Sequence, residues 1–324
     1  EIIHMRPYNN AHLEFDITVP KTWTCKDLTI DKKSQFEESV IGDVVRCEGE
    51  MISIYRPHVT VSVRILDHEL EARHWLHDHL LNNGFTPLEE IIAESPKKAA
   101  VTYSTVIQNE SIHSYIVVKF TGRHAIVTRF DTPLPIQDYI SYIQKKIPDS
   151  LKLTYPQDDT IEFQKNFTLL DALKFEYPIS WSVQAPDYKN MSRFSVSLQN
   201  MKKSGVIGGY IDLLALRKGG EYTLKSGISD LKKHFDQNIA LNFDELVSST
   251  EPENINRRFK FKRYEVYNVS YKKDGFINPE IHYFILSDSE WYVHGYLITP
   301  RKSNNLLEWA RNTRTFNMIM ESIR

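Results

Sequence analysis

Ile281-His282-Tyr283-Phe284-Ile285-Leu286, then Ser287-Asp288-Ser289-Glu290, then Trp291 to Ile298, Thr299-Pro300 and Leu306 to Ile323 form a complete structural unit at the end of the chain. The first run is a buried-strand pattern, the second a polar turn, the third a returning strand that Thr-Pro stops, and the last a helix. The same order occurs earlier. Ile112-His113-Ser114-Tyr115-Ile116-Val117-Val118 leads into the turn Thr121-Gly122-Arg123-His124, then Ala125 to Phe130, Thr132-Pro133 and a helix from Ile136 to Ile147. The offset is 169 residues between Ile112 and Ile281 and 167 between Thr132 and Thr299. The chain reads as two copies of one domain, 1–155 and 160–324.

Working outward, each copy opens with a strand and a Pro-x-x-Trp corner. Leu13 to Ile17 runs to Pro20-Lys21-Thr22-Trp23, and Leu173 to Tyr177 runs to Pro178-Ile179-Ser180-Trp181. Proline cannot donate to a ladder, so it ends the strand and lets the tryptophan turn back over the sheet. Residues 26–50 read as a loop or distorted hairpin. Val59 to Ile65 alternates with period 2, and Tyr210 to Leu216 does so less cleanly. A helix follows each: Ala72, Trp75, Leu76, His79 and Leu80 share one side of the first, while Leu224, Ile228, Leu231 and Phe235 line the second. Ala99 to Ile107 and Phe259 to Tyr271 supply the next strands. The closing helices bury Ile136, Tyr139, Ile140, Ile143 and Ile147 in one copy, and Leu306, Trp309, Ala310, Thr313, Phe316, Met320 and Ile323 in the other. Short turns between strands imply antiparallel pairing. The expected class is α+β: two copies of an antiparallel sheet flanked by helices. Tyr155-Pro156-Gln157-Asp158-Asp159-Thr160 is the boundary between them.

A length of 324 residues suits two domains, and 41% hydrophobic with 25% charged residues is ordinary globular material. No apolar run approaches the ~18 residues of a membrane-spanning helix. A net charge of -2 argues against a chain built mainly to bind nucleic acid. The chain begins at Glu1 rather than Met, which reads as removal of an N-terminal segment, and a signal peptide or lipid anchor could have been lost with it. Cys25 and Cys47 are the 2 cysteines and form no CxxC pair. Two readings stand: a disulfide closing a loop of roughly 23 residues, worth about 3 kcal/mol in an oxidising compartment, or two buried thiols in a reducing cytosol. One even pair in a cysteine-poor chain fits an exported protein.

The pattern resembles the PsbP/DcrB-like superfamily, in which a strand leads into a Pro-x-x-Trp-type corner, a strand and helix follow, and two long antiparallel strands precede a closing helix. The residues that carry the resemblance are Phe15, Pro20 and Trp23; Phe175, Pro178 and Trp181; the hairpins Ile112 to Phe130 and Ile281 to Ile298; and the helices after Pro133 and Pro300. Two extra residues between Phe15 and Pro20 depart from the pattern. The resemblance implies a PsbP-like fold and a family of mostly non-enzymatic binders. A tandem copy is similar to accessory subunits of bacterial envelope machines, a type IVB secretion core complex being the specific case. That places the chain in the periplasm or at the outer-membrane periphery, among other protein subunits of an envelope complex, with no cofactor and no nucleic-acid partner.

Three clusters are candidates for chemistry. On the first helix His74 and Asp78 are four residues apart with His77 nearby, on the face opposite the apolar stripe. Imidazole plus carboxylate is a normal ligand set for a divalent metal. The order is not HExxH, however, and the bland reading is a solvated polar face. In Arg257-Arg258-Phe259-Lys260-Phe261-Lys262-Arg263-Tyr264, strand alternation would send Phe259 and Phe261 to the core and Arg258, Lys260 and Lys262 to the surface. That separation disfavours single-stranded nucleic acid, whose binders put aromatics and cations on one face. It favours an acidic protein partner meeting Tyr188, Arg257, Arg258, Lys260 and Lys262. No nucleophile elbow or phosphate loop occurs. The expectation is a non-catalytic scaffold or protein-binding subunit. The alternatives are a metal binder or enzyme using His74, His77 and Asp78, and a small-molecule binder in the groove between the copies.

Overall fold

The computed structural model describes residues 1–29, 42–52, 54–107, 109–169, 173–184, 186–190, 192–201, 207–219, 223, 229, 232–233, 241–271 and 278–324. They divide into two compact units, Glu1–Ile161 and Glu162–Arg324.

Unit 1 comprises β1 (Ile2–Met5), β2 (Phe15–Thr18), β3 (Thr24–Asp27), β4 (Asp43–Glu48), β5 (His58–Ile65), α1 (Ala72–Asn82), β6 (Thr86–Pro87), β7 (Ile92–Ser95), β8 (Lys98–Ile107), β9 (Glu110–Thr121), β10 (His124–Pro133), α2 (Gln137–Gln144), α3 (Lys146–Asp149) and β11 (Lys152–Leu153). Its large sheet has the order β3-β4-β5-β10-β9-β8-β6 with β7 also on β8, and β1-β2-β11 form a small sheet. Unit 2 comprises β12 (Gln164–Leu169), β13 (Leu173–Pro178), β14 (Trp181–Val183), β15 (Asp187–Asn190), β16 (Arg193–Met201), β17 (Ile207–Arg217), β18 (Leu241–Thr250), β19 (Phe261–Tyr271), β20 (Pro279–Ser287), β21 (Trp291–Pro300) and α4 (Leu306–Ser322). Its large sheet runs β14-β16-β17-β21-β20-β19-β18 with β15 on β16, beside the pair β12-β13.

The two large sheets follow one path, and every pairing in them is antiparallel. The central hairpins share their register. Pro133 pairs with Ile112 and Pro300 with Pro279, so both strands of the hairpin are displaced by 167 residues (300 − 133 and 279 − 112). The 169-residue offset at Ile112 and Ile281 is therefore two residues out of register. Each Pro-x-x-Trp corner carries the chain from the small sheet to the large one, between β2 and β3 and between β13 and β14. Trp23 turns back through a bond from its N–H to the Pro20 carbonyl (3.0 Å) and its ring lies 5.6 Å from Phe130.

The α+β expectation fits in part: strands dominate the described residues, and the architecture is mostly β. The helix expected from Ile136 to Ile147 is broken after Gln144. Pro148 lacks the N–H that would bond the Gln144 carbonyl, so the ladder cannot continue. Tyr139, expected in the core, is 70% exposed, while Ile140 and Ile147 point inward. The second-copy helix through Leu224, Ile228, Leu231 and Phe235 lies outside the described residues. In unit 2 the core gathers Phe175, Trp181, Phe284 and Phe316 between α4 and the sheet. In unit 1 Phe15, Val61, Phe130 and Ile140 do the same beneath α2 and α3.

Cys25 and Cys47 are cross-strand partners in β3 and β4 and are disulfide-bonded, 22 residues apart in sequence. Chain-entropy arithmetic assigns that loop about 3 kcal/mol. Urea denaturation with and without reductant should therefore separate by about that amount; coincident midpoints would remove the assignment.

Candidate functional site

The helix bearing the proposed metal face is α1. Ala72, Leu76 and Leu80 are buried as its periodicity requires, but His74 is buried too, at 7% exposure. That corrects the solvated face expected there. α1 packs on β8 and β9 and is flanked by β6 and β7, which cover a side that the periodicity of an isolated helix leaves to water. Asp78 accepts a hydrogen bond from Asn82 Nδ2 (2.9 Å), and His77 is half-buried. Among the described residues no group of three or more His, Cys, Asp or Glu side chains is placed to hold a metal.

The opposite side of α1 roofs a cavity of about 170 Å³ over the sheet. Trp75 and His79, one turn apart, form the roof with rings stacked at 5.0 Å. The floor is set by register. Thr60 and Ser62 sit two apart on β5, facing the same way, with Arg64 next along. Across the ladder Thr60 pairs with Arg129 of β10, Arg129 with Ile116 of β9, and Ser62 with Val127 of β10 and Asp43 of β4. All of these side chains line the cavity. Thr60 and Ser62 are 6% and 8% exposed. Burial first, then the charges of Arg64 and Arg129, bring the His79 pKa down to about 4, so its imidazole is neutral at pH 7.

Behind the cavity Asp131, 2% exposed, organises a polar network. Its Oδ1 accepts from Ser114 Oγ (2.6 Å), its Oδ2 accepts from Arg129 Nε (2.8 Å), and His58 Nε2 lies 3.1 Å away. Burial alone would raise the Asp131 pKa, but His58, Arg129 and Ser114 outweigh it and the net shift is downward. Burial and the Asp131 charge push Tyr103 up to about 12. The Tyr103 ring stacks on Phe85 at 4.7 Å, and Phe85 meets His79 edge-on at 6.1 Å. A chain of rings thus joins the network to the roof.

The matching face of the second sheet has other chemistry. The 167-residue displacement takes Arg129 to Tyr296 and Val127 to His294, and Tyr296 pairs with Asp212 where Arg129 pairs with Thr60. There Tyr210 donates to Ser197 Oγ (2.9 Å), which donates to Asp212 (2.8 Å), and Tyr283 bonds His294 Nδ1 (2.6 Å). Burial lowers the His294 pKa to about 4.

The basic segment is not a strand throughout: β19 begins only at Phe261. Phe259 is buried at 2%, but Phe261, expected in the core, is 38% exposed. Residues 257–260 lie outside the ladder, so alternation does not govern them. Arg257 and Lys260 are exposed and Lys262 half-buried. Arg258 instead turns inward, its Nε 3.4 Å from Asp288 and its guanidinium 4.5 Å from the centre of the Phe259 ring. Tyr188 lies in β15, with its side chain outside the described residues.

No protein-family model matches the chain, and no curated protein matches it. Among solved structures it is similar to PsbP of the cyanobacterium Synechocystis in solution, at 9% identity and a TM-score of 0.34, over 47% of this chain and 92% of that one. It is also similar to the T6SS immunity protein TplEi of Pseudomonas aeruginosa, at 10% identity and a TM-score of 0.25, over 96% of this chain and 94% of that one. A third likeness is to the protein of unknown function PA94 from Pseudomonas aeruginosa, at 10% identity and a TM-score of 0.23, over 47% and 94%.

Proposed function

We propose that the chain is a non-catalytic protein-binding subunit, a tandem of PsbP-like domains that docks an acidic partner protein at the start of β19. The observation that carries this reading is Phe261, 38% exposed and set in sequence among the cations Arg257, Lys260 and Lys262. An exposed aromatic with cations beside it in sequence has the composition in which interface energy concentrates, and it would select a partner that offers an apolar contact and acidic groups. Arg258 belongs to the support rather than the contact, since it is engaged with Asp288. The Cys25–Cys47 bond favours an oxidising compartment. The assembly would then be a bacterial cell envelope complex at the periplasm or outer-membrane periphery, with a type IVB secretion core complex as the particular case. No helix among the described residues is long and apolar enough to cross a membrane.

The test is recovery from native cells in mild detergent with mass spectrometry, comparing the natural chain with one carrying Arg257→Glu, Lys260→Glu, Lys262→Glu and Phe261→Ala. Stoichiometric acidic envelope partners should come with the first and be lost at least tenfold with the second, at unchanged circular dichroism. Equal recovery would overturn the reading.

A further inference from the structure

We infer that the cavity beneath α1 is a binding site for a small zwitterion, an α-amino acid of about the size of alanine or serine. Thr60 and Ser62, each more than nine-tenths buried, line it. Two hydroxyls side by side on one strand offer donors and acceptors to whatever fills the space. Two guanidinium groups, Arg64 and Arg129, stand on the same floor, on β5 and β10. Hydroxyl and guanidinium donors converging on one space match a carboxylate, which is acceptor-only when ionised. His79 above is neutral and brings no competing charge.

Asp43 makes the site selective for more than an anion. It is exposed at the rim on β4, directly across the ladder from Ser62. A simple anion would be repelled there, whereas the ammonium that an α-amino acid carries on the carbon next to its carboxylate is attracted. Ile116, Val127 and the Trp75 ring leave an apolar wall for a short side chain. The 170 Å³ volume leaves room for a small amino acid.

The experiment is isothermal titration of the full chain with glycine, alanine and serine, and with propionate and lactate as matched acids that lack the amino group. At least one amino acid should bind, and the matched acids at least tenfold more weakly. Thr60→Val removes a hydroxyl at constant shape. The melting temperature of the free chain should hold, while affinity falls about tenfold, as for one lost hydrogen bond to a charged group. Arg64→Gln should act likewise on affinity, and Asp43→Asn should weaken alanine but not propionate. The assignment is overturned if no amino acid binds at millimolar concentration, if the matched acids bind equally well, or if binding survives Thr60→Val and Arg64→Gln unchanged. Loss of the partner-protein contact at Phe261 would leave this site untouched, so the two readings fail separately.

Discussion

Gly295→Ala is expected to destabilise unit 2 by about 3 kcal/mol, the upper end of the cost of overpacking a core. Gly295 lies in β21 between Phe284 of β20 and Leu213 of β17. A Cβ built there overlaps two ring atoms of Phe284 and comes within 2.9 Å of Leu213 Cδ2. The Phe284 ring has nowhere to go, being fully buried and packed at 5.1 Å against Phe316 of α4. The requirement is therefore close approach of a side chain to the backbone, not an unusual backbone angle. Urea denaturation reads the effect, and adding Phe284→Leu should recover part of it because the smaller side chain vacates the space. A Gly295→Ala chain within about 1 kcal/mol of the natural one would show that the ring can yield.

Asp131→Ala should cost unit 1 about 3 kcal/mol, since it strands the Arg129 guanidinium in a half-buried site and frees His58 and Ser114 of their acceptor. The effect carries a pH signature. The folded carboxyl titrates below its ordinary value, so the unfolded chain takes up this proton first as pH falls. The stabilisation is complete above about pH 4, the unfolded carboxylate range, and disappears as pH falls further through the folded value. Urea midpoints measured from about pH 6 to pH 2 should thus fall less steeply in Asp131→Ala than in the natural chain. Parallel acid limbs would mean that Asp131 is not held ionised by its neighbours.

Much of the fold was legible because strands and corners announce themselves locally. The hairpins ending at Pro133 and Pro300 and the turns at Pro20-Trp23 and Pro178-Trp181 depend on neighbours a few residues away. The site was harder for the opposite reason. Val59 to Ile65 showed its alternation plainly, and Thr60, Ser62 and Arg64 were its polar half. An isolated strand gives polar residues to water; here α1 closes over them, and only the tertiary arrangement turns that half into a cavity floor. The residues of α1 that stood out in the sequence were His74, His77 and Asp78, whereas Trp75 and His79 are the ones over the cavity. Burial of His74 is a tertiary fact that a 100° wheel does not contain. At Phe261 the alternation rule failed because the ladder starts there and does not constrain what precedes it.

The shared register of the two large sheets also explains why the halves look so little alike in sequence. A ladder is held by amide and carbonyl groups that every residue except proline supplies in full, so pairing is indifferent to what each side chain is. Arg129 and Tyr296 occupy equivalent rungs and do different work. Two sheets of one strand order can therefore carry different chemistry on the same face. The likeness of the halves lies in which backbone groups meet, not in which letters agree.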